Sequence, residues 1–495
     1  MKKFWLVLLS LGLVMAFSVS AFAVDVKVSG EYYAAGLYLN KTLLGDNLTE
    51  FVPVYKKSGA LDKGKSYYNG PLSNPSTAFF FQRLRVGTDF VVSPCLKLVT
   101  RFDAMERIWG GARSNPGTPD AYSAGTRAEN ENIAFDIAYI DYTSPIGLFR
   151  VGYQKDYEWG TIFDDRTSGP TQGGITYAVP VGPVTILAQY IKEGDGSASA
   201  VTTGVTTTDQ DYDSYRLGAI YNFNSSKAKG EVGGLLLYNR IAEYKDSTVI
   251  PFLAQVYKAI PYFKAQIGPV ALQGEFEYTF GSAKTEDGAT FSLLGYPGTD
   301  INISAWSAFL DATATFGPVY VGGSFVYLSG DDPATHDKIE GGTFAGLGVN
   351  TAGLDWNPCL IMFNNDLRYW GGNIAGYDGS VINGEMSNAL FFQGRIGVKP
   401  TSQWDIMLAV AYATADKKPA GYANGGYGTE IDVTATYKIT NNLSYMLGAG
   451  YLFTGDYFKG RDAGQPVGSY LAPTTVLSNE KDNDYMVINK LTLSF

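Results

Sequence analysis

The segment YMVINKLTLSF, residues 485–495, decides the class of fold. Apolar side chains recur at alternate positions of this segment. Successive side chains of an extended strand point to opposite faces, so this strand has one apolar face and one mixed face that carries Met486, Ile488, Lys490, Thr492 and Ser494. The apolar face carries Tyr485, Val487, Leu491, Leu493 and Phe495. The segment predicts a β-strand at the border of an apolar and an aqueous environment.

The same alternation recurs along the chain, at 270–280, 404–412 and 430–439. A soluble β-sandwich also alternates, but its outward face is richer in charge than a chain with 17% charged residues allows. The chain also has 35 Tyr, 28 Phe, 7 Trp and 58 Gly, which suits a sheet with aromatic girdles and tight turns. These features predict an all-β protein, a transmembrane antiparallel up-and-down β-barrel.

The connections between strands alternate in length, as they do in outer-membrane barrels with short periplasmic turns and long external loops. Short turns are predicted at 93–95, 144–147, 180–183, 224–230, 268–269, 317–318, 400–402 and 441–442. Longer loops are predicted near 41–76, 110–131, 157–171, 193–211, 244–250, 283–301, 330–386, 417–428 and 457–483. Eight turns and nine loops give 18 strands, and 16 are possible. The long external loop 330–386 has room for a hairpin around 360–370.

Residues 1–23 have the pattern of a cleaved signal peptide, with basic Lys2 and Lys3, an apolar core and the small-x-small site Ala21-Phe22-Ala23. We therefore expect residues 24–495 to form the exported barrel. No later stretch approaches the ~20 apolar residues of a membrane helix. Without the two lysines the net charge is about −12, which excludes a nucleic-acid partner on bulk charge. The expected location is the bacterial outer membrane, in contact with lipid and lipopolysaccharide.

The residue types disfavour an enzyme and predict no cofactor and no resident metal. His336 is the single histidine, so a Ser-His-Asp triad would have to include it, and no partner for it is evident. Asp331, Asp332 and Asp337 could hold Ca²⁺, but a solvated loop is the favoured interpretation. Cys95 falls at a predicted periplasmic turn and Cys359 in an external loop, so no disulfide between them is expected.

Two stretches resemble the trimeric general porins of Gram-negative outer membranes. Residues 83–108, RLRVGTDFVVSPCLKLVTRFDAMERI, are similar to that family's arginine-led strand-turn-strand unit. Residues 133–161, IAFDIAYIDYTSPIGLFRVGYQKDYEWGT, are similar to its strand, short turn and Gly-aromatic-Gly strand before the third loop. The opening strand 24–40 and the terminal Phe495 also match. The 18 predicted strands exceed the family's usual 16, and Asn132 stands where the family often has arginine.

The resemblance implies a homotrimeric porin, a water-filled diffusion channel for small hydrophilic solutes and ions, whose third loop (157–171) folds inward as a constriction. A substrate-selective channel or exporter for a sugar, an organic acid or a polysaccharide is the alternative. Maltoporin and the alginate-export barrels, which have 18 strands, represent that class. An outer-membrane enzyme is a weaker third reading.

Strand parity assigns the charges that face the pore. The lipid-facing apolar positions of the second, third and fifth strands place six basic residues on one inner wall: Arg83, Arg85, Lys97, Arg101, Arg107 and Arg150. The third loop and its entry supply four carboxylates: Asp156, Glu158, Asp164 and Asp165. With the loop folded inward, Asp164 and Asp165 are expected opposite Arg83 and Arg101. Such a constriction has a transverse field that orients polar solutes.

Overall fold

The computed structural model describes residues 24–40, 50–55, 61–68, 76–110, 133–155, 159–164, 171–196, 209–245, 247, 250–285, 289–294, 296, 298–344, 347–371, 385–419, 424–458, 476–477 and 483–495. The predicted signal peptide, residues 1–23, lies outside these residues. Among them, no helix is long and apolar enough to cross a membrane.

Eighteen antiparallel strands form one closed barrel. The strands are β1 Asp25–Leu39, β2 Thr77–Ser93, β3 Leu96–Ile108, β4 Ala134–Ser144, β5 Gly147–Lys155, β6 Thr171–Val181, β7 Val184–Gly194, β8 Tyr212–Asn224, β9 Ala228–Ile241, β10 Phe252–Ile267, β11 Val270–Thr285, β12 Asp300–Phe316, β13 Val319–Leu328, β14 Ala389–Val398, β15 Trp404–Thr414, β16 Gly426–Lys438, β17 Leu443–Thr454 and β18 Asp484–Ser494. Each strand pairs with its neighbours along the chain, and β1 closes the ring by pairing with β2 and β18. The predicted barrel is confirmed, with 18 strands rather than 16.

The eight short turns lie where the sequence predicts them, all at one end of the barrel. Gly317 shows why these turns need glycine, because its φ of 60° lies in the left-handed region that side chains with a Cβ avoid. The nine longer connections lie at the opposite end. Because turns of two to five residues fix the register of a hairpin, the turn positions also fix which side chains face outward.

The outward face is apolar, as the alternation predicts. On β18, Leu491, Leu493 and Phe495 are exposed by 37%, 39% and 50% on the outside of the barrel. Near the external strand ends, a row of outward rings from Tyr215 through Tyr238 and Tyr257 to Phe280 stacks with centroid separations of 4.8 to 6.1 Å. An apolar band bordered by aromatic rings is the surface that a transmembrane barrel presents to lipid.

The remaining described elements belong to the long connections. A small three-stranded sheet joins Glu50–Tyr55, Leu61–Tyr68 and Val476–Leu477. Between β13 and β14 lie the short strands Lys338–Ile339, Gly342–Phe344 and Leu347–Asn350 and the helix α1, Asn365–Gly371. Three 3₁₀ turns occur at Ile162–Asp164, Phe291–Leu294 and Asp456–Phe458.

The largest buried apolar cluster lies inside the barrel. It joins inward side chains of β1, β13, β14 and β17, among them Leu37, Leu328, Phe391 and Leu452, to residues of three long connections. An inner wall that faced only water would have polar side chains at these positions. The external half of the lumen is therefore built to receive apolar chain segments.

Candidate functional site

The described part of the third long connection, between β5 and β6 (L3, residues 156–170), lies in the lumen. This part, residues 159–164, packs on the inner faces of β9 to β12. The Trp159 Nε1–H donates to the carbonyl oxygen of Ile260 at 3.2 Å, and the Thr161 N–H donates to Glu275 Oε2 at 2.6 Å. The predicted inward fold of the third loop is confirmed.

Gly160 allows L3 to approach this wall closely. Its φ is +76°, and a Cβ at this position would lie 2.1 Å from Glu275 Oε2. Any larger residue would therefore be strained in its backbone and would also clash with the carboxylate that holds Thr161. Trp159 contacts the Tyr262 ring edge-on, with centroids 5.3 Å apart. L3 is seated by shape as well as by hydrogen bonds.

A second segment, residues 351–371 (the L7 insert), also occupies the lumen. It belongs to the connection 329–388, which the sequence places outside the barrel as a long external loop. Trp370 Nε1–H donates to Tyr33 Oη at 3.2 Å and stacks on Phe81 with centroids 4.6 Å apart. The interpretation of 360–370 as an external hairpin is wrong, because this stretch contains α1 and buries its rings against β1 and β2.

Two carboxylates of β16 hold the backbone of the L7 insert. Glu430 Oε1 and Oε2 accept the N–H groups of Ile361 and Met362 at 2.6 and 2.7 Å. Asp432 Oδ2 accepts the N–H of Leu360 at 3.1 Å. These N–H groups would otherwise be buried without partners, so the two carboxylates replace the water that an exposed loop would use.

L3 and the L7 insert contact each other inside the barrel. The Gly353 N–H donates to the carbonyl oxygen of Phe163 at 2.8 Å. The Phe163 ring stacks on Phe309 of β12, with centroids 5.1 Å apart, and meets Trp356 edge-on at 5.5 Å. The two segments therefore form one internal structure that narrows the lumen.

The predicted basic wall is a lattice of ion pairs. Arg85 donates two bonds of 2.7 Å to the carboxylate of Asp103, and Arg101 is paired with Asp136 through an Nε bond of 2.8 Å. The remaining basic side chains of this wall also have acidic neighbours: Lys97 lies 3.2 Å from Asp89 and 3.6 Å from Asp141, Arg150 lies 3.7 Å from Asp141, and Arg83 lies 3.8 Å from Glu106 and 3.9 Å from Glu31. The wall has alternating charge rather than uniform positive charge.

Two β-bulges change what parity predicts on this wall. In β3 an extra residue at Met105, whose φ is +52°, shifts the register so that Arg107 pairs with Gln82, on the outward face. The prediction that Arg107 lines the pore is therefore wrong, since cross-strand partners share a face. A register shift between Arg101 and Phe102 makes Asp136 the extra residue of β4 and brings it to Arg101.

Of the four predicted loop carboxylates, Asp164 lies within the described residues. It belongs to the part of L3 that packs on the β9 to β12 wall, where it interacts electrostatically with Glu275. Its placement opposite Arg83 and Arg101 stays a prediction, and the ion-pair partners of these two arginines include carboxylates of β1, β3 and β4. Asp156, Glu158 and Asp165 lie outside the described residues.

A cavity of about 290 Å³ lies between the L7 insert and the inner wall. Its lining combines aromatic, thioether and charged groups, including Tyr33, Trp370, Met446, Asp432 and Lys490. The Lys490 ammonium lies over the Tyr33 ring, 4.3 Å from its centroid. The cavity is large enough for several waters or one small polar solute.

Two of the external carboxylates that could have held Ca²⁺, Asp331 and Asp332, have partners in the same connection and in neighbouring ones. Asp331 accepts the Tyr296 hydroxyl at 2.8 Å and the Glu340 N–H at 2.9 Å, and burial raises the pKa of its carboxyl. Asp332 accepts the Ala334 N–H, which with Lys417 at 3.1 Å lowers the pKa of this carboxyl. His336 is exposed. Both thiols are free, with Cys95 exposed at its turn and Cys359 buried in the L7 insert.

Sequence reasoning missed the L7 insert, although a signal was present. The stretch WNPCLIMFNNDLRYW, residues 356–370, is far more apolar and aromatic than a solvated external loop. Its partners on β16, Glu430 and Asp432, were recognised only as residues of a polar strand face. A hydrophobic run inside a long connection indicates a segment that packs inside the barrel when several strands also carry Leu and Ala on their inner faces.

The fold is similar to solved structures of outer-membrane proteins. OccAB1 of Acinetobacter baumannii aligns with a TM-score of 0.50 and 13% identity, over 97% of this chain and 99% of that chain. The outer membrane protein OpdK of Pseudomonas aeruginosa has a TM-score of 0.48 and 12% identity, over 95% and 99%. OccK2 (OpdF) of Pseudomonas aeruginosa in complex with glucuronate has a TM-score of 0.47 and 12% identity, over 96% and 99%.

These three neighbours carry Occ or Opd names, and none of the three is described as a trimeric general porin. Sequence identities of 12% and 13% support a similarity of fold and nothing further. No protein-family model matches the chain, and no curated protein matches it. The barrel architecture is therefore shared with solved outer-membrane protein structures, and the function has to be argued from the lumen.

Proposed function

We propose that this chain is an outer-membrane channel for passive passage of small hydrophilic solutes and ions. The closed barrel with an apolar outward band supports a place in the membrane, because no unpaired strand edge faces lipid. The inner wall between β2 and β5 is lined by ion-paired side chains that favour water and polar solutes.

The observation that carries the proposal is the pair of lumen segments. L3 and the L7 insert contact each other through Gly353 and Phe163, and both are fixed to the wall by carboxylates. Segments placed in this way reduce the cross-section of the lumen, whose β2 to β5 wall carries the charged side chains. The constriction is thus formed by the two segments and the charged wall together.

A substrate-selective channel is the second candidate, and the L7 insert favours it over a general porin. An additional internal segment, with a cavity of about 290 Å³ beside it, gives solutes specific polar and aromatic contacts. Glucuronate is bound by OccK2, which suggests small organic acids as first solutes to test. The homotrimer and the contact with lipopolysaccharide remain proposals from the resemblance to general porins. The absence of enzymatic activity is proposed with them.

Liposome swelling with solutes of graded size and charge tests the channel. Reconstituted protein should admit small sugars and organic acids, with a size cutoff below that of a barrel without internal segments. A deletion of residues 353–371 should raise the cutoff. Protein that folds, inserts and admits no solute would refute the channel. An unchanged cutoff after deletion would refute the constriction while leaving the channel intact.

A further inference from the structure

Three potential metal ligands converge where the L7 insert meets β16. One ligand atom each from Cys359, Glu430 and Asp432 lies within 4.8 Å of the other two, and all three residues are buried. Tetrahedral ligands at normal Zn–S and Zn–O lengths lie about 3.5 Å apart, so small side-chain rotations would complete such a site. This is the one such convergence of three His, Cys, Asp or Glu residues within the described ranges.

An unpartnered oxygen points into this cluster. Asp432 is 4% exposed, and its Oδ1 has no hydrogen-bond partner, although its Oδ2 accepts the Leu360 N–H. Gly450 leaves that side open, since a Cβ there would lie 2.6 Å from Asp432 Oδ1 and 3.4 Å from Glu430 Oε1. A buried carboxylate oxygen without a donor is costly unless something neutralises it.

The charge balance also calls for a cation. Glu430 is fully buried, its two oxygens accept backbone N–H groups, and its carboxyl group also hydrogen-bonds with that of Asp432. Two buried carboxylates next to each other need a proton or a metal ion between them. Lys490, which lines the adjoining cavity, lies over the Tyr33 ring. The cavity gives an ion a route to Cys359 and Asp432, which are both in its lining.

We propose that Cys359, Glu430 and Asp432 bind one divalent cation of borderline softness, of which Zn²⁺ is the representative. One thiolate and two carboxylates match the ligands that Zn²⁺ accepts, whereas Ca²⁺ and Mg²⁺ prefer oxygen ligands alone. On binding, the sulfur–metal bond replaces the S–H bond and the proton passes to solvent. The ion would join the L7 insert to the barrel wall through Cys359 on one side and β16 on the other.

Titration of the purified, folded barrel with Co²⁺ tests the site, because Co²⁺ replaces Zn²⁺ and gives a thiolate-to-metal charge-transfer absorption. We expect one Co²⁺ per chain, displaced by Zn²⁺. Cys359→Ala should abolish the absorption and weaken Zn²⁺ binding by at least about tenfold. Cys95→Ser is the matched control, since it removes the chain's other thiol at an exposed turn, and it should leave both unchanged.

A second measurement needs no variant. X-ray absorption of the Zn²⁺-loaded wild-type protein should show one sulfur and otherwise oxygen or nitrogen in the first shell. Absence of stoichiometric binding would show that a shared proton neutralises the two carboxylates, and would overturn the proposal. A first shell without sulfur, or a charge-transfer band that persists in folded Cys359→Ala, would overturn it as well.

Discussion

Glu430→Ala tests the anchoring of the L7 insert most sharply. The variant removes both oxygens that accept the Ile361 and Met362 N–H groups, at 2.6 and 2.7 Å. Hydrogen bonds to a charged group contribute about 1.5–3 kcal/mol each, so the docked insert loses about 3–6 kcal/mol. Since 1.4 kcal/mol is a factor of about ten, the ratio of docked to undocked insert falls by about 10² to 10⁴. Glu430→Gln keeps one acceptor and should lose about half of this free energy.

Single-channel recording in a planar bilayer measures the consequence. We expect Glu430→Ala to show a larger conductance and more frequent transitions than the wild type, with Glu430→Gln between them. Asp405→Asn is the control, because Asp405 is a lumen carboxylate of the neighbouring strand β15 that accepts the Tyr320 hydroxyl at 2.8 Å. The reasoning fails if folded Glu430→Ala conducts like the wild type, or if Asp405→Asn has the same effect.

Four further predictions follow from other contacts. Gly160→Ala should displace L3 and raise the single-channel conductance, because the added Cβ would clash with Glu275. Gly182→Ala is the control, since Gly182 also has a positive φ, +62°, but no atom lies within 4 Å of its Cβ position. Equal conductances of the two variants would contradict the seating of L3. Arg85→Gln with Arg101→Gln should shift the reversal potential in a salt gradient toward cations, because Asp103 and Asp136 lose their partners, while outward Arg107→Gln should leave it unchanged. Leu493→Arg should lower the stability of the inserted barrel by less than about 2 kcal/mol, because Leu493 lies near the end of β18. If Leu493→Arg reduces heat-modifiable gel mobility more than a substitution at the bilayer midplane does, this placement is wrong. Burial raises the pKa of the Cys359 thiol, which stays protonated at pH 8, so maleimide should label only Cys95 in the metal-free folded barrel and both thiols after unfolding.

The barrel could be predicted from the sequence because each strand carries its own signal. Alternation along 485–495 assigns faces without tertiary information, and turns such as Gly317-Pro318 fix where strands end. Eight turn positions then determine the strand count. These are local features, and the structure reproduces them.

The lumen could be predicted only in part, because its geometry depends on contacts between distant segments. Parity predicts an inward face for Arg85 and Arg101, which pair with Asp103 and Asp136, but it does not hold at Arg107, where the bulge at Met105 adds one residue to β3. Nothing local to residues 356–370 specifies that Glu430, some 70 residues away, accepts their N–H groups. The composition of that segment indicates burial, whereas its partner is determined by barrel closure.

The inward fold of L3 was predicted from the family resemblance, but the strands against which L3 packs were not predicted. Strand parity and an inward loop predict carboxylates facing Arg83 and Arg101, whereas the contacts of Trp159 and Gly160 with β9 to β11 were not predicted. A loop that crosses a lumen can end on any wall, and the choice depends on complementary side chains far away in sequence.

The most direct test of a channel narrowed by internal segments is the single-channel conductance of the wild type beside a variant lacking residues 353–371. We predict a small ohmic conductance for the wild type and a severalfold larger one for the deletion, with both barrels showing heat-modifiable mobility. A wild-type barrel that is folded, inserted and electrically silent would contradict the channel, and identical conductances would contradict the narrowing by the L7 insert.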